Sequence, residues 1–224
     1  MGHKKLIRFE EIKTFPNVLI NPEGMAGNWT QFFGNDHPIT LELACGKGEY
    51  TLGLARIYPQ RNFVGVDIKG NRIWKGARAG LDEKIPNAAF LRTDISRLAE
   101  YFGPGEVEEI WITFADPFLR KSKQKKRLTH IRFLKIYREL LKPGGKIHLK
   151  TDSRELYEFT LDTIRHWNCN LHEQIEDLYA GDPANPLLSI RTYYETLHLQ
   201  SGRTICYLSF SLPKQLESLE AAHA

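Results

Sequence analysis

Apolar positions in this chain fall in short runs separated by stretches of helical period. Residues 40–45 (TLELAC) are apolar apart from one acid and run into GKGEYT, after which a helical pattern continues to Tyr58. Residues 62–68 (NFVGVDI), 88–93 (AAFLRT), 107–114 (VEEIWITF) and 146–150 (KIHLK) read as further buried strands. Helical patterns cover 69–84, a short piece at 96–102, and 129–141, which stops at Lys142-Pro143-Gly144-Gly145. Another helix spans 153–167, capped by Asp152 or Ser153. Five strands alternating with helices predict a mostly parallel sheet covered on both faces.

The pattern then changes. Residues 190–199 and 204–212 are β-rich runs separated by Gln200-Ser201-Gly202-Arg203, which predicts an antiparallel hairpin. The expected fold class is α/β: a mostly parallel seven-stranded sheet, helices on both faces, and a C-terminal antiparallel hairpin. Residues 1–35 form a lead-in of mixed character, 36–212 the main domain, and 213–224 a tail of frayed helical character.

Composition narrows the class. The 224 residues, 42% hydrophobic and 26% charged, suit one soluble globular domain. No run approaches the roughly 18 apolar residues of a membrane span, and the basic N-terminus has no apolar stretch or cleavage site. A cytoplasmic protein without membrane attachment is expected. Cys45, Cys169 and Cys206 are odd in number and scattered, so neither a disulfide framework nor a metal site is expected. The sequence leaves monomer and homodimer equally open.

The net charge of +4 is modest, but its distribution is not. No acid lies between Asp116 and Glu139, while Arg120, Lys121, Lys123, Lys125, Lys126, Arg127, Arg132, Lys135 and Arg138 do. A field of that sign suits a polyanion. Charge runs are commonly just solvated faces. The position of this one, directly after a strand end, favours phosphate binding.

Ligands of open parallel sheets bind beyond the carboxyl ends of the strands. The first strand ends in Glu42-Leu43-Ala44-Cys45-Gly46-Lys47-Gly48, where Gly46 and Gly48 permit a tight turn and close approach to a ligand. Two glycines could also merely turn the chain. A dinucleotide fingerprint would want a third glycine or another small residue at Thr51, and Glu42 would repel a pyrophosphate. Glu42 suits a positively charged ligand, and Asp67, ending the second strand, can accept from both ribose hydroxyls of a nucleoside. Asp94 follows the third strand, where it can meet an adenine amino group or simply cap a helix. Phe114-Ala115-Asp116-Pro117-Phe118 ends the fourth strand with a carboxylate beside that pocket.

Taken in order, Phe-x-Asp-Pro, a basic segment ending Lys-Arg-Leu, Leu-Lys-Pro-Gly-Gly, Lys-Thr-Asp and Arg191-Thr192-Tyr193-Tyr194-Glu195 resemble the bacterial tRNA (guanine-N7)-methyltransferase family. Asn28-Trp29, Phe33-Gly34-Asn35 and Pro38-Ile39 match the family's lead-in, so the resemblance covers about residues 28–210. It implies a Rossmann-like class I methyltransferase that uses S-adenosyl-L-methionine, needs no metal, and methylates guanine N7 in the variable loop of tRNA. It further implies that Glu42, Asp67, Asp94 and Asp116 bind cofactor together with the Gly46–Gly48 loop, and that Asp116 is catalytic. Arg120, Asp152, Thr192 and Glu195 fall on substrate-binding positions. Lys121, Ser122, Lys123, Gln124, Lys125, Lys126 and Arg127 fall on the RNA-contacting segment.

The chain departs from the commoner pattern at Ala115 and Leu119, where relatives carry Pro, and at Phe118, where they carry Trp. No histidine lies between Asp116 and Arg127. Without the resemblance, Asp152 reads equally as a helix cap, and Thr192 and Glu195 as an exposed hairpin face. Methylation of another RNA and a catalytically silent RNA-binding protein of the same fold are the alternatives.

Overall fold

A computed structural model describes residues 2–181 and 185–216 of the chain. Eight strands form one sheet: β1 (Val18–Ile20), β2 (Ile39–Leu43), β3 (Asn62–Asp67), β4 (Ala88–Arg92), β5 (Val107–Thr113), β6 (Leu141–Thr151), β7 (Asn170–Ile175) and β8 (Cys206–Ser211). The helices are α1 (Gly2–Glu11), α2 (Trp29–Phe33), α3 (Glu49–Ile57), α4 (Gly70–Asp82), α5 (Ile131–Leu140), α6 (Arg154–His166) and α7 (Tyr193–Gln200). Strand order is β1-β4-β3-β2-β5-β6-β8-β7, parallel from β1 through β6 and antiparallel at β6–β8–β7. The order reverses between β2 and β5. A crevice therefore opens there, above their carboxyl ends.

Alternation along the strands splits the core in two. Leu41, Leu43, Val64, Val66, Ile110, Ile112, Ile147 and Leu149 face Trp29 of α2, Phe133, Leu134 and Tyr137 of α5, and Leu156 and Leu161 of α6. Phe63, Phe90, Trp111 and Tyr207 face the other way, onto Tyr50, Leu52 and Leu54 of α3 and Ile73 and Ala77 of α4. Because both faces of the central strands are covered, β2 and β3 are buried at every position.

The predicted α/β sheet with a C-terminal antiparallel pair is present, but its last part is built differently. Residues 193–200 are helical, and the partner of β8 is β7. The cause is local. Thr192 Oγ1 accepts from the Glu195 amide at 3.1 Å, and Glu195 Oε2 accepts from the Thr192 amide at 3.3 Å. This capping box starts a helix in spite of the β-preferring Thr-Tyr-Tyr. Strand β7 is exposed over five of its six residues, so it lacks the apolar signature of the others.

The sheet also gains β1, from within the lead-in segment, at its opposite edge. The Lys142-Pro143-Gly144-Gly145 turn bulges within β6: Val107 pairs with Leu141 but Glu109 with Lys146. Of the predicted helical tail, residues 217–224 lie outside the described residues.

Candidate functional site

Three strand ends converge on the crevice. After β2, Ala44, Gly46 and Gly48 take φ of 58°, 57° and 68°, which turns the chain sharply into α3. The glycine at 48 is demanded by packing as well as by φ: a Cβ there would lie 2.3 Å from Phe90 Cε1. After β5, Phe114 also takes a positive φ, 50°. Non-glycine residues rarely hold this conformation, and here two do so at neighbouring strand ends.

Asp67 closes β3 and stands at the back of the loop, only 6% exposed. Its Oδ2 accepts from the Gly46 amide at 2.9 Å and its Oδ1 from the Lys69 amide at 2.8 Å. Asp94, after β4, accepts from the Ser96 amide and hydroxyl at 2.8 and 2.7 Å and caps the short helix that follows. Those two donors hold its carboxyl below the usual carboxylate range. Asp116, after β5, is exposed and accepts from the Phe118 amide at 2.9 Å.

These three carboxylates line one open cavity of about 390 Å³, with Ile68, Ile95, Phe114, Phe118 and Phe133 as apolar walls and Lys69, Arg72, Lys126 and Arg132 at its sides. Thr93 lines the same cavity, and its Oγ1 is buried without a hydrogen-bond partner among the described residues. A ligand with a polar atom would satisfy it. Flat apolar walls with acids at three points suit a nucleoside that carries hydroxyl and amino donors.

Glu42 is not on that wall. It is 2% exposed and points to the α3 side of the sheet, where Thr113 Oγ1 donates to Oε1 at 2.6 Å. The Thr51 amide donates to Oε2 at 2.8 Å, and the Thr51 hydroxyl shares that oxygen. Burial outweighs these donors and pushes the carboxyl up to about 7.

Nor do the other predicted substrate positions line it. Asp152 binds Arg203 at 2.5 Å and lies 3.4 Å from His198 Nδ1, while Ser153, not Asp152, caps α6. The His198 ring stacks on Phe114 with centroids 5.8 Å apart, which joins this cluster to the cavity. Glu195 is fully buried. It pairs with the fully buried Lys150 at 2.7 Å and accepts from the Tyr179 hydroxyl at 2.7 Å. Lys150 also donates to the carbonyls of Leu188 and Ile190, so it straps the 186–200 segment to β6.

In the basic segment, Lys121 to Lys126 form a short 3₁₀ helix whose four lysines and Ser122 are exposed and whose Gln124 is half-buried. Arg120, just before it, is exposed as well. Arg127 differs. It is 4% exposed, donates to Pro117 O at 2.8 Å, and lies 4.6 Å from the Phe159 ring centroid. Sequence reading also passed over Thr93, Arg72 and Lys150, and it counted Arg132 among the cations of the basic stretch without assigning it to the cavity. For Arg72 a signal existed, since it stands one turn into the helix that follows Asp67.

Among the described residues no group of three or more His, Cys, Asp or Glu could hold a metal ion, and no helix is long and apolar enough to cross a membrane.

Comparison with known proteins adds a family. The family model described as "Putative methyltransferase" matches residues 36–208. The tRNA (guanine-N(7)-)-methyltransferase of Porphyromonas gingivalis is 49% identical over 213 residues, covering 90% of this chain and 86% of that one. The protein of the same name from Bacteroides thetaiotaomicron is 46% identical over 224 residues, covering 96% of this chain and 88% of the relative. Among solved structures, the 16S rRNA methyltransferase KamB shares the fold, with a TM-score of 0.62 at 16% identity over 84% of this chain and 94% of that one.

Proposed function

The chain belongs to the tRNA (guanine-N(7)-)-methyltransferase family, and from that premise we propose that it transfers a methyl group from S-adenosyl-L-methionine to N7 of a guanine in cytoplasmic tRNA. The observation that carries this is the meeting of Asp67, Asp94 and Asp116 on one cavity at the strand-order reversal, with an exposed basic segment following Asp116.

When bound, the cofactor supplies an electrophilic sulfonium methyl. Asp67 would accept from ribose hydroxyls, and its hydrogen bond to the Gly46 amide would hold the loop open for the amino-acid end. Asp94, Thr93 and Ile68 would hold the adenine. Glu42 works from behind: by tying Thr51 to Thr113 it fixes the start of α3 against β5, and with it the glycine loop.

Guanine N7 offers an in-plane lone pair and carries no proton, so no base is needed to form the nucleophile. The bound cofactor would supply its methyl group for direct displacement by N7, which would leave the positive charge on the purine. The Asp116 carboxylate, on the cavity wall, would accept from the Watson–Crick edge and oppose that charge. Phe118, at the cavity wall, offers a ring on which the base can stack. Asp152, Thr192 and Glu195 act as positioning residues. Asp152 orients His198 against Phe114, and the Thr192–Glu195 box fixes the start of α7. Arg120 and Lys121 to Lys126 hold the RNA backbone, while Arg127 anchors the segment to the Asp116-Pro117-Phe118 turn.

The test is methyl transfer from labelled S-adenosyl-L-methionine to unmodified tRNA transcripts, with the product nucleoside identified by mass spectrometry. The expected product is 7-methylguanosine, lost in Asp116→Ala. A different methylated nucleoside, or methylation of ribosomal RNA alone, would refute the assignment.

A further inference from the structure

A second basic feature lies on the opposite side of the glycine loop from the 120–127 segment. An open cleft of about 380 Å³ runs between α3, α4 and the extended stretch before α7. Four cations, Lys47, Arg56, Lys75 and Arg191, line it with a single acid, Glu49. Arg56 is spent on a bidentate pair with Glu83. Lys47, Lys75 and Arg191 have no carboxylate within salt-bridge distance among the described residues, and Glu49 is partly engaged by the Tyr193 amide at 2.7 Å.

The cleft is built rather than left over. Ile190 docks on Gly53 so closely that a Cβ there would lie 2.6 Å from Ile190 Cγ2, and this packing delivers Arg191 to the rim. The Lys47 ammonium is held 3.2 Å from the centroid of the Tyr193 ring. Gly76 lets α4 approach the loop: a Cβ there would lie 2.5 Å from Lys47 O.

Cations on α4 lie between the cleft and the reaction cavity. Lys69 stands at the N-cap of α4, and Arg72 and Lys75 follow at three-residue intervals, so the three cations are spread over roughly 9 Å of the helix start. Lys69 and Arg72 line the cavity, and Lys75 lines the cleft. The catalytic centre is thus flanked by cations on two sides.

Resting on the methyltransferase reading above, we propose that the Lys47–Lys75–Arg191 cleft is a second RNA-backbone site, which takes phosphates of the tRNA strand on the far side of the target guanosine from the 120–127 segment. A strand held on both sides presents its extruded base between two fixed points, which the basic segment alone does not provide. Unpaired cations beside an exposed aromatic pair, Tyr193 and Tyr194, form a surface suited to a polyanion with bases.

The experiment is tRNA binding measured across a salt series for wild type, Lys75→Glu, and Lys75→Ala with Arg191→Ala. Removing one phosphate-binding cation should lower the slope of log K against log salt by about 0.7–0.9. The double variant should therefore bind more weakly with a slope smaller by about 1.5, while its affinity for S-adenosyl-L-methionine stays at the wild-type value. If Arg191→Ala impairs folding, Lys75→Glu decides alone, because Lys75 is exposed and has no partner among the described residues. Wild-type affinity and slope in these variants, with both reduced in Lys123→Ala/Lys125→Ala, would overturn the second site and leave the tRNA reading intact. Wild-type protein that forms no 7-methylguanosine would sink both.

Discussion

Thr113 Oγ1 donates to Glu42 Oε1 across 2.6 Å, joining the ends of β5 and β2 at the point where strand order reverses. The same carboxylate receives the Thr51 amide at the start of α3. One buried group thereby couples three elements that shape the cofactor crevice.

That coupling carries a pH signature. Burial raises the Glu42 carboxyl from 4.5 to about 7, so the folded chain binds this proton more tightly than the unfolded chain. Stability from this group is fully present below about pH 4.5 and is lost as pH rises towards 7, by roughly 3 kcal/mol. Glu42→Gln removes the titration. Urea unfolding of the two proteins at pH 5 and pH 8 should show the variant gaining on wild type by about that amount at the higher pH. Parallel pH profiles would mean that Glu42 ionises normally.

Much of the fold was legible because the central strands are buried on both faces and read as short apolar runs between helical periods. The acids at 67, 94 and 116 were legible because each follows directly on such a run. What stayed hidden has physical causes. Strand β7 is solvated, so Asn170–Ile175 has no apolar pattern. Helix α7 starts from a side-chain cap, which β-preferring tyrosines masked. The direction of a side chain within a charge run is a tertiary fact: nothing in Lys-Gln-Lys-Lys-Arg says that Arg127 alone turns inward. Lys150 was hidden likewise, since its partner Glu195 is 45 residues away in sequence.

Arg127 should consequently behave unlike its neighbours. Arg127→Ala leaves the Pro117 carbonyl without its donor and strips the Phe159 ring of its cation. It should cost about 2 kcal/mol in stability and disturb the Asp116 turn. Lys125→Ala should keep stability within about 0.5 kcal/mol and lower only tRNA affinity and its salt slope. Thermal unfolding together with salt-dependent binding separates the two. Equal effects on both readouts would contradict the division of roles.

The Lys150–Glu195 pair makes a coupled prediction. Both side chains are fully buried, so Lys150→Met alone strands a carboxylate and should cost about 3–5 kcal/mol. Lys150→Met with Glu195→Gln should recover the part of that loss due to the stranded charge, because Gln at this position keeps the capping box with Thr192, while the Leu188 and Ile190 carbonyls still lack their donor. A double-mutant cycle in urea measures the coupling. Additive losses would show that the pair does not act as a unit.

The two loop glycines should respond unequally to the same change. Both hold φ in the left-handed region, 57° at Gly46 and 68° at Gly48, so alanine at either costs about 1–2 kcal/mol in backbone strain. At Gly46 the new methyl meets nothing nearer than Ala44 O at 3.9 Å, and the penalty ends there. At Gly48 it would press into the Phe90 ring at 2.3 Å, between α4 and the sheet, adding about 1–3 kcal/mol of overpacking. Phe90 is fully buried, so its ring has no free volume into which to move. Gly48→Ala should thus unfold at lower temperature than Gly46→Ala. Gly46→Ala should still bind S-adenosyl-L-methionine, with reduced affinity, because the Gly46 amide that Asp67 holds is retained. Calorimetric unfolding and cofactor titration on the two variants check this, and equal melting temperatures would show that Phe90 yields.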